Sequence, residues 1–286
     1  MVPQIIDYAT IDAEIVKNEF SWDVMEKSIY LANGVKVPNH KALIRSDNHQ
    51  VLNVCKDSYT PTTNEQFCEF VYKLSSLTGY AVQNFNEFQE GKKVLAFLKA
   101  PETKINGFET ENFLAVGNAH DSSKAFFVAN TTRMIRCQNQ FSYLNEKGMK
   151  AFHTTSNADQ IRQIESSIHL YEGQQKALTA NFERLAKKQV DGQRFEDFLR
   201  FIFDIDNSIN LENAEEKIST RKINQMAELV EAIDIEAKDL GNTDFALFHG
   251  VTRWTTHTRN QKDKTFGNLF GTNAILNEKA LNFLLN

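Results

Sequence analysis

The sequence NFLAVGNAHDSSKAFFVAN, residues 112–130, decides the fold class. Two largely apolar runs of strand length flank the polar segment 120–123, whose short side chains are typical of a tight turn. The second run, residues 125–129, is apolar at every position, so both faces of this strand need cover. These residues predict two paired strands, the second of which lies inside a sheet.

Two more strand pairs precede this one. Each consists of two short runs of strand-forming residues around a turn of polar residues or glycine. They are residues 41–46 and 50–55 around Asp47–Asn48–His49, and residues 80–88 and 92–99 around Glu90–Gly91. Because few of these strands are joined by a helical crossover, the sheet is expected to be mainly antiparallel.

One helix is predicted between the first two of these strand pairs. It begins at a capping box, for which both Thr62 with Glu65 and Thr63 with Gln66 have the right spacing. Apolar residues then recur at helical spacing, and Gly79 is a natural end.

The pattern becomes helical after residue 157. Apolar residues keep a period of about 3.6 residues, which predicts one long amphipathic helix with a buried stripe. The stripe consists of Ile161, Ile164, Ile168, Tyr171, Leu178, Phe182 and Leu185. Further helices are expected over residues 194–204, 213–237, 243–257 and 277–285.

These elements predict an α+β fold. We expect an N-terminal arm over residues 1–40, with a short helix near residues 5–16 followed by a polar loop. A core with a mainly antiparallel sheet would cover residues 41–155, and a helical region packed on it would cover residues 156–286. No linker rich in Pro, Gly or Ser separates the last two regions, so a single domain is the alternative.

The composition excludes several classes of protein. The chain has 286 residues, of which 41% are hydrophobic, so it can bury a large core. The longest apolar run has five residues, 94–98, whereas a membrane-spanning helix needs about 20. The N-terminus carries no signal-peptide pattern, and the three cysteines have no zinc-site spacing. We therefore expect a cytoplasmic protein with reduced thiols and no membrane contact.

Motifs of the common enzyme classes are absent from the sequence. It contains no G-x-G-x-x-G, no Walker A loop, no H-E-x-x-H and no G-x-S-x-G. The formal net charge of −5 argues against a surface that is basic throughout, but it leaves room for a local basic face.

Residues 118–141 form the first segment that could carry function. Between residues 124 and 136 it has three basic side chains and no acidic one: Lys124, Arg133 and Arg136. These could meet an anion such as a nucleic-acid phosphate. Together with His153, the segment also supplies a candidate polar site, which consists of Asn118, His120, Asp121, Ser122, Asn139 and His153. The structural alternative is a tight turn followed by a buried strand, with Cys137 in the core.

Two later segments invite similar hypotheses. In residues 151–157, Thr154, Thr155, Ser156 and Asn157 suit the N-cap of the long helix, and a helix N-terminus also suits a phosphate. In residues 248–264, Arg253 and Arg259 lie near Trp254, and Lys262 and Lys264 follow, against one acidic residue. A basic stretch with an aromatic residue is typical of single-strand binding, and the alternative places Trp254 in the core.

A metal site is not expected. His120, Asp121, His153 and His249 are residue types that would suit zinc or iron, but their spacing matches no established pattern. His249 and His257 are eight residues apart, about 12 Å along a helix, and cannot share an ion there. We predict no metal and no cofactor.

The segments together resemble a known family, the phage- and plasmid-like proteins with the domain of unknown function 932. The resemblance lies in His120–Ser123, then Arg133 or Arg136 with Cys137 and Asn139, then Phe152–Thr154, and then ALFHGVTRWTTHT with Val251, Thr252 and His257. The last segment, GNLFGTNAILNEKALNFLL, has Gly271 in a matching position. Ser122 stands where the family usually has Gly, and Phe152 stands where it has Arg. The resemblance covers residues 40–286 and implies a mobile-element context in a bacterial cytoplasm.

Three functional hypotheses follow. The first is a DNA-metabolism protein of a mobile element that binds single-stranded DNA, anneals strands and forms a homo-oligomer. Its phosphate contacts would be Lys124, Arg133, Arg136, Arg253 and Arg259, with Trp254 stacking on bases. If Arg133 and Arg253 face solvent, reversing their charge would abolish binding and leave stability unchanged. The second is a protein–protein interaction module that modulates a host system. The third is a metal-assisted or nucleotide-directed enzyme that uses His120, Asp121 and His153.

Overall fold

The computed structural model describes residues 19–134, 139–143, 150–154, 156–209, 217–259 and 264–286. Its strands are β1 (Val24–Tyr30), β2 (Lys36–Arg45), β3 (Val51–Lys56), β4 (Ala81–Phe88), β5 (Lys93–Ile105), β6 (Phe108–Ala119), β7 (Phe126–Met134), β8 (Gln140–Tyr143) and β9 (Lys150–Ala151). Its α-helices are α1 (Asn64–Thr78), α2 (Asn157–Ser166), α3 (Leu170–Lys187), α4 (Gly192–Phe203), α5 (Thr220–Leu240), α6 (Asp244–Arg253), α7 (Lys264–Phe270) and α8 (Thr272–Leu285). A π-helical turn, Trp254–Thr258, follows α6.

The strands form two antiparallel sheets. One has the order β1-β2-β3, and the other has the order β4-β5-β6-β7-β8 with β9 paired to β7. The apolar strand β7 is therefore internal, and residues 126–129 are buried, as their composition predicted. The predicted α+β class and the antiparallel pairing are confirmed.

Two compact units are present. Unit 1 comprises the described residues of Met1–Pro101, Asn112–Asn130 and Leu144–Glu172. Its core is formed largely by α1 and the strands around it and includes Phe67, Phe126 and Tyr171. Unit 2 comprises the described residues of Glu102–Glu111, Thr131–Tyr143 and Gly173–Asn286. Its core is mainly helical and includes Phe182 and Trp254.

Helix α1 has the ends that its sequence predicted. Thr63 is the N-cap, and the capping box with Gln66 is complete on both sides. Gly79 closes the helix in the left-handed conformation, at φ 71°, which glycine adopts without steric cost. Thr62, the other candidate cap, is instead buried and bonded to Asn157.

The single long helix predicted after residue 157 is wrong, because the structure divides it into α2 and α3. Ser166 Oγ donates to the carbonyl oxygen of Gln163 at 2.8 Å, and Ser167 is the C-cap of α2. Serine side chains that bond to nearby backbone compete with the helical pattern and favour such an end. Ile164 and Tyr171 are buried in the core of unit 1, whereas Leu178, Phe182 and Leu185 are buried in the core of unit 2. The buried stripe is thus confirmed, but it contributes to two cores.

Two other predictions need correction. The polar loop expected at the end of the arm contains β1, a strand whose residues are mostly exposed and so show little apolar alternation. The helix expected over residues 243–257 ends as α6 at Arg253 and continues as the π-helical turn. The short helix expected near residues 5–16 lies outside the described residues.

Candidate nucleic-acid interface

The polar turn of residues 120–123 joins β6 to β7 in unit 1. Asp121 Oδ1 accepts a hydrogen bond of 2.9 Å from the backbone N–H of Ser123. Ser122 has a left-handed backbone, at φ 62°, and its Oγ accepts a 2.6 Å bond from Asn53 Nδ2. Asp121 and Ser122 therefore hold the turn in place, as short polar side chains do in many turns.

His120 is completely buried in unit 1. Its Nε2 lies 3.0 Å from Asn64 Oδ1, and its ring meets that of Trp22 edge-on, with centroids 5.9 Å apart. Burial lowers the pKa of His120 to about 3, and proximity to His153 lowers this pKa further. The imidazole is therefore neutral at physiological pH and has no access to solvent.

Asn118 links the same strand to the start of α2. Its Nδ2 donates to the carbonyl oxygen of Thr62 at 3.1 Å, and the Thr62 hydroxyl bonds to Asn157 Oδ1 at 3.2 Å. Asn157 Nδ2 in turn donates to the carbonyl oxygen of Phe152 at 3.0 Å. This chain of buried amides fixes the backbone that presents Phe152.

His153 is also inside unit 1, with 8% of its surface exposed. Its ring stacks on Tyr59, with centroids 4.9 Å apart and planes 28° apart. Burial lowers the pKa of His153 and raises the pKa of Tyr59 to about 12. Asn118, His120 and His153 are thus buried in unit 1, whereas an enzyme site would need side chains that substrate can reach.

The sixth member of the predicted polar site, Asn139, belongs to unit 2. Its Nδ2 donates to Glu236 Oε1 at 3.1 Å and to the carbonyl oxygen of His249 at 3.3 Å. Its Oδ1 lies 3.2 Å from Nε2 of His257. Asn139 therefore joins the buried end of α5 to the π-helical turn.

Lys150 and Phe152 flank Ala151 in unit 1, and Lys124 is near enough to Lys150 for the two charges to interact. In the pairing of β9 with β7, Ala151 faces Phe126 and Lys150 faces Phe127. Side chains alternate along a strand, so the buried Ala151 places Lys150 and Phe152 on the opposite, exposed side. Phe152 is 61% exposed, although it is a large apolar residue. We call these three residues the Phe152 surface.

The Phe152 surface is positively charged. Lys124 lies two residues before Phe126, the first paired residue of β7, and its pKa is lowered by burial and by the charges of Lys150 and Lys93. Lys93 has a carboxylate nearby, since its Nζ lies 4.0 Å from Asp121 Oδ2. Lys124 and Lys150 form no ion pair with any residue that the structure describes. A bound anion would stabilise both charged ammonium groups.

Two of the predicted phosphate contacts are already paired with carboxylates in unit 2. Arg133 donates to Glu111, through Nε at 2.9 Å. Arg253 donates to Glu236 Oε1 at 3.1 Å, and Glu236 is 1% exposed. Each of the two arginines therefore compensates a carboxylate of its own unit.

Trp254 is a core residue of unit 2, which corrects the hypothesis that it stacks on bases. It is 2% exposed, and its Nε1 donates to Glu228 Oε2 at 2.9 Å. Arg259 lies over its ring, 5.5 Å from the centroid, and donates to Asn273 Oδ1 at 2.6 Å. Of the remaining predicted residues, Arg136, Cys137, Thr155 and Lys262 lie outside the described residues.

Comparison with known proteins identifies one family. The sequence model of one family, Domain of unknown function (DUF932), matches residues 51–280. The chain belongs to the DUF932 family. No curated protein and no solved structure matches it.

The DUF932 segments recognised in the sequence come together in pairs. In unit 1, His120 of the first segment and His153 of the third are both buried, and His153 adds to the effect of burial in lowering the pKa of His120. In unit 2, Asn139 of the second segment bonds to His257 of the C-terminal one. Many of the motif residues in this DUF932 protein are therefore buried polar side chains rather than exposed side chains that could react or bind.

The surface residue that sequence analysis missed is Phe152. Its position entered the sequence analysis only through the family resemblance. The alternation Lys150-Ala151-Phe152 was a usable signal, since a small residue between two large ones marks which face is buried.

The described part of the chain contains no group of three or more His, Cys, Asp or Glu side chains that could hold a metal ion. None of its helices has both the length and the apolar character needed to cross a membrane.

Proposed function

We propose that this protein binds single-stranded nucleic acid at the Phe152 surface. The observation that supports the proposal is the exposed aromatic ring of Phe152 on the same face as Lys150, whose charge interacts with that of Lys124. Neither lysine forms an ion pair with any described residue. Proteins that bind single strands without sequence preference combine aromatic stacking with a basic path for the backbone.

Phe152 supplies the aromatic part of the surface. An isolated exposed phenylalanine has no role in the core, and stacking on a base covers its face with a π-system of matching shape. Its backbone is held rigidly, because Gln160 Oε1 accepts from its N–H at 2.8 Å and Asn157 bonds to its carbonyl. A rigid aromatic residue loses little conformational entropy on binding.

The lysines supply the electrostatic part. Each phosphate neutralised on a single strand contributes about −0.7 to the slope of log affinity against log salt concentration. Five contacts would give a slope of about −3.5. With Arg133 and Arg253 paired internally, Lys124 and Lys150 account for about −1.4 of the slope.

The family resemblance supplies a context for this proposal. A DNA-metabolism role for a phage or plasmid, in the cytoplasm of a bacterial host, would require handling of single strands during replication or recombination. Strand annealing by a homo-oligomer is the finer form of the same proposal.

The experiment replaces, one at a time, two aromatic residues that are equally exposed. Fluorescence anisotropy with a labelled oligonucleotide of about 40 nucleotides, at about 50 mM salt, measures the affinity. Phe152→Ala should weaken binding by about 1–3 kcal/mol, or about 5- to 150-fold. Tyr30→Ala is the matched control, because Tyr30 is also 61% exposed in unit 1.

The outcomes are distinct. A loss with Phe152→Ala and unchanged affinity with Tyr30→Ala would support the proposal. Equal effects of the two variants, or no binding by the wild-type protein at tens of micromolar, would exclude it and favour the protein–protein interaction hypothesis.

A further inference from the structure

Unit 2 contains an open cleft of about 730 Å³, which lies within the size range of small-ligand sites. It is bounded by the first two turns of α5, the end of the π-helical turn and the start of α8. Its lining includes Arg221, Asn224, Gln225, Glu228, Thr258 and Arg259. Almost every one of these side chains is polar or charged, so the cleft suits a polar ligand.

Two arginines of this cleft are close to each other. Burial lowers the pKa of Arg259, and the charge of Arg221, which lines the same cleft, lowers it further. Arg259 is held by Trp254 on one side and by Asn273 on another. Arg221 is exposed and forms no ion pair with any described residue. The two like charges of this cleft repel each other, and a phosphate group between them would be attracted to both.

The residues of α5 that line the cleft lie on one face of the helix. Arg221, Asn224, Gln225 and Glu228 occur at i, i+3, i+4 and i+7, so they line one face of the helix. Arg221 is in the first turn of α5, where the positive end of the helix dipole also favours an anion. Glu228 lies two turns further on, about 10 Å along the axis.

The carboxylate of Glu228 decides between ligands. One of its oxygens accepts the Trp254 indole N–H, and this acceptor would repel a ligand that consists of phosphate alone. It would accept a hydrogen bond from a sugar hydroxyl or a base amino group. Asn224 and Gln225, between Arg221 and Glu228 on the helix, can each donate and accept at a base edge.

We propose that this cleft binds a nucleoside phosphate, with the phosphate between Arg221 and Arg259 and the nucleoside directed toward Glu228. The ligand is either a free nucleotide or the phosphorylated end of a strand, which share this chemistry. The site is in unit 2 and involves none of the residues of the Phe152 surface, so it does not depend on the proposed function.

Isothermal titration calorimetry on the full chain tests the site, with AMP, adenosine and inorganic phosphate as probes. We expect AMP to bind at least about tenfold more tightly than either fragment, since only AMP engages both parts of the cleft. Equal affinity for AMP and inorganic phosphate, or no AMP binding at millimolar concentration, would overturn the proposal.

Substitutions locate the ligand. Arg221→Gln should weaken AMP binding at least about tenfold without affecting the fold, because Arg221 is exposed. Arg162→Gln is the control, since Arg162 is an exposed helical arginine of unit 1. Arg259→Gln should have the same effect as Arg221→Gln, with circular dichroism to confirm folding. Unchanged AMP affinity in Arg221→Gln would contradict the assignment.

A second pair of probes separates the two sources of the ligand. An oligonucleotide with a 5′-phosphate is compared with the same oligonucleotide bearing a 5′-hydroxyl, in wild type and in Arg221→Gln. A preference for the phosphorylated end that depends on Arg221 identifies a strand terminus, and AMP binding without such a preference identifies a free nucleotide. Phe152→Ala should leave AMP affinity unchanged, and a loss of AMP binding in that variant would count against a separate site.

Discussion

Arg253 donates a hydrogen bond of 3.1 Å to Glu236, a carboxylate that is almost completely buried in unit 2. Asn139 donates to the same oxygen. Removing the positive partner of a buried carboxylate leaves a charge without compensation, which costs about 3–5 kcal/mol.

Charge reversal at this position should therefore destabilise the protein. Arg253→Glu is expected to lower the free energy of unfolding by about 3–5 kcal/mol, measured by urea denaturation. Arg162→Glu, at an exposed position of unit 1, is the control and should change stability by less than about 1 kcal/mol. An Arg253→Glu protein as stable as wild type would show that Glu236 does not depend on Arg253 for compensation of its charge.

The burial of Trp254 in the core of unit 2 can be tested by substitution. Trp254→Ala should cost about 3–5 kcal/mol, because it removes a buried side chain that packs against Phe203 at a ring distance of 5.7 Å. Trp254→Phe keeps most of the volume but leaves Glu228 without the indole donor, so a smaller loss of about 1–3 kcal/mol is expected. Thermal denaturation of both variants measures the difference, and equal stability of Trp254→Ala and wild type would contradict core packing.

Phe182 joins α3 to the aromatic side chains of α6. Its ring lies 5.2 Å from that of Phe248 and 5.7 Å from that of Phe245. Phe182→Ala should reduce the free energy of unfolding by about 3–5 kcal/mol, while Phe182→Leu should lose less. A chemical denaturation curve that does not shift for Phe182→Ala would exclude this core.

His120 should make stability depend on pH. Its folded pKa of about 3 lies below the ordinary value of 6.5, so the unfolded state binds the extra proton first as the pH falls. Neutral His120 therefore makes its full contribution to the free energy of unfolding above pH 6.5. As the pH falls from about 6 to about 4, this free energy decreases by about 1.4 kcal/mol per pH unit. The lowered pKa of His153 acts in the same direction.

A substitution isolates this effect. His120→Gln removes the titrating group and should reduce the slope of stability against pH between about pH 6 and pH 4, measured by urea denaturation at several pH values. The exposed His49 is the control, and His49→Gln should leave the slope as it is in wild type. If His120→Gln and wild type show the same slope of stability against pH, the protonation of His120 does not contribute to this slope as its burial requires.

Local patterns predicted most of unit 1. The hairpins around Asp47–His49 and Glu90–Gly91 and the capping box at Thr63 depend on short-range chemistry, which the sequence displays directly. Strand β1 was missed because few of its residues are buried, so no alternation marks it.

Long-range partners explain the errors. The apolar period from Ile161 to Leu185 continues across the end of α2, since both helices bury the same kind of face. The acidic partner of Arg253, Glu236, is 17 residues away in another helix, so the spacing of the sequence does not show the pair. A basic cluster in the sequence shows charge but does not show which charges are already compensated in the fold.

The salt dependence of single-strand binding tests the account most directly. Lys124→Gln combined with Lys150→Gln removes the two lysines of the Phe152 surface, and Lys27→Gln combined with Lys36→Gln makes the same change in net charge on exposed residues of β1 and β2. Anisotropy titrations between about 50 and 200 mM salt give the slope of log affinity against log salt concentration. We predict that the first pair makes this slope shallower by about 1.4, while the control pair leaves it as in wild type. Equal slopes for the two double variants would contradict nucleic-acid binding at this surface.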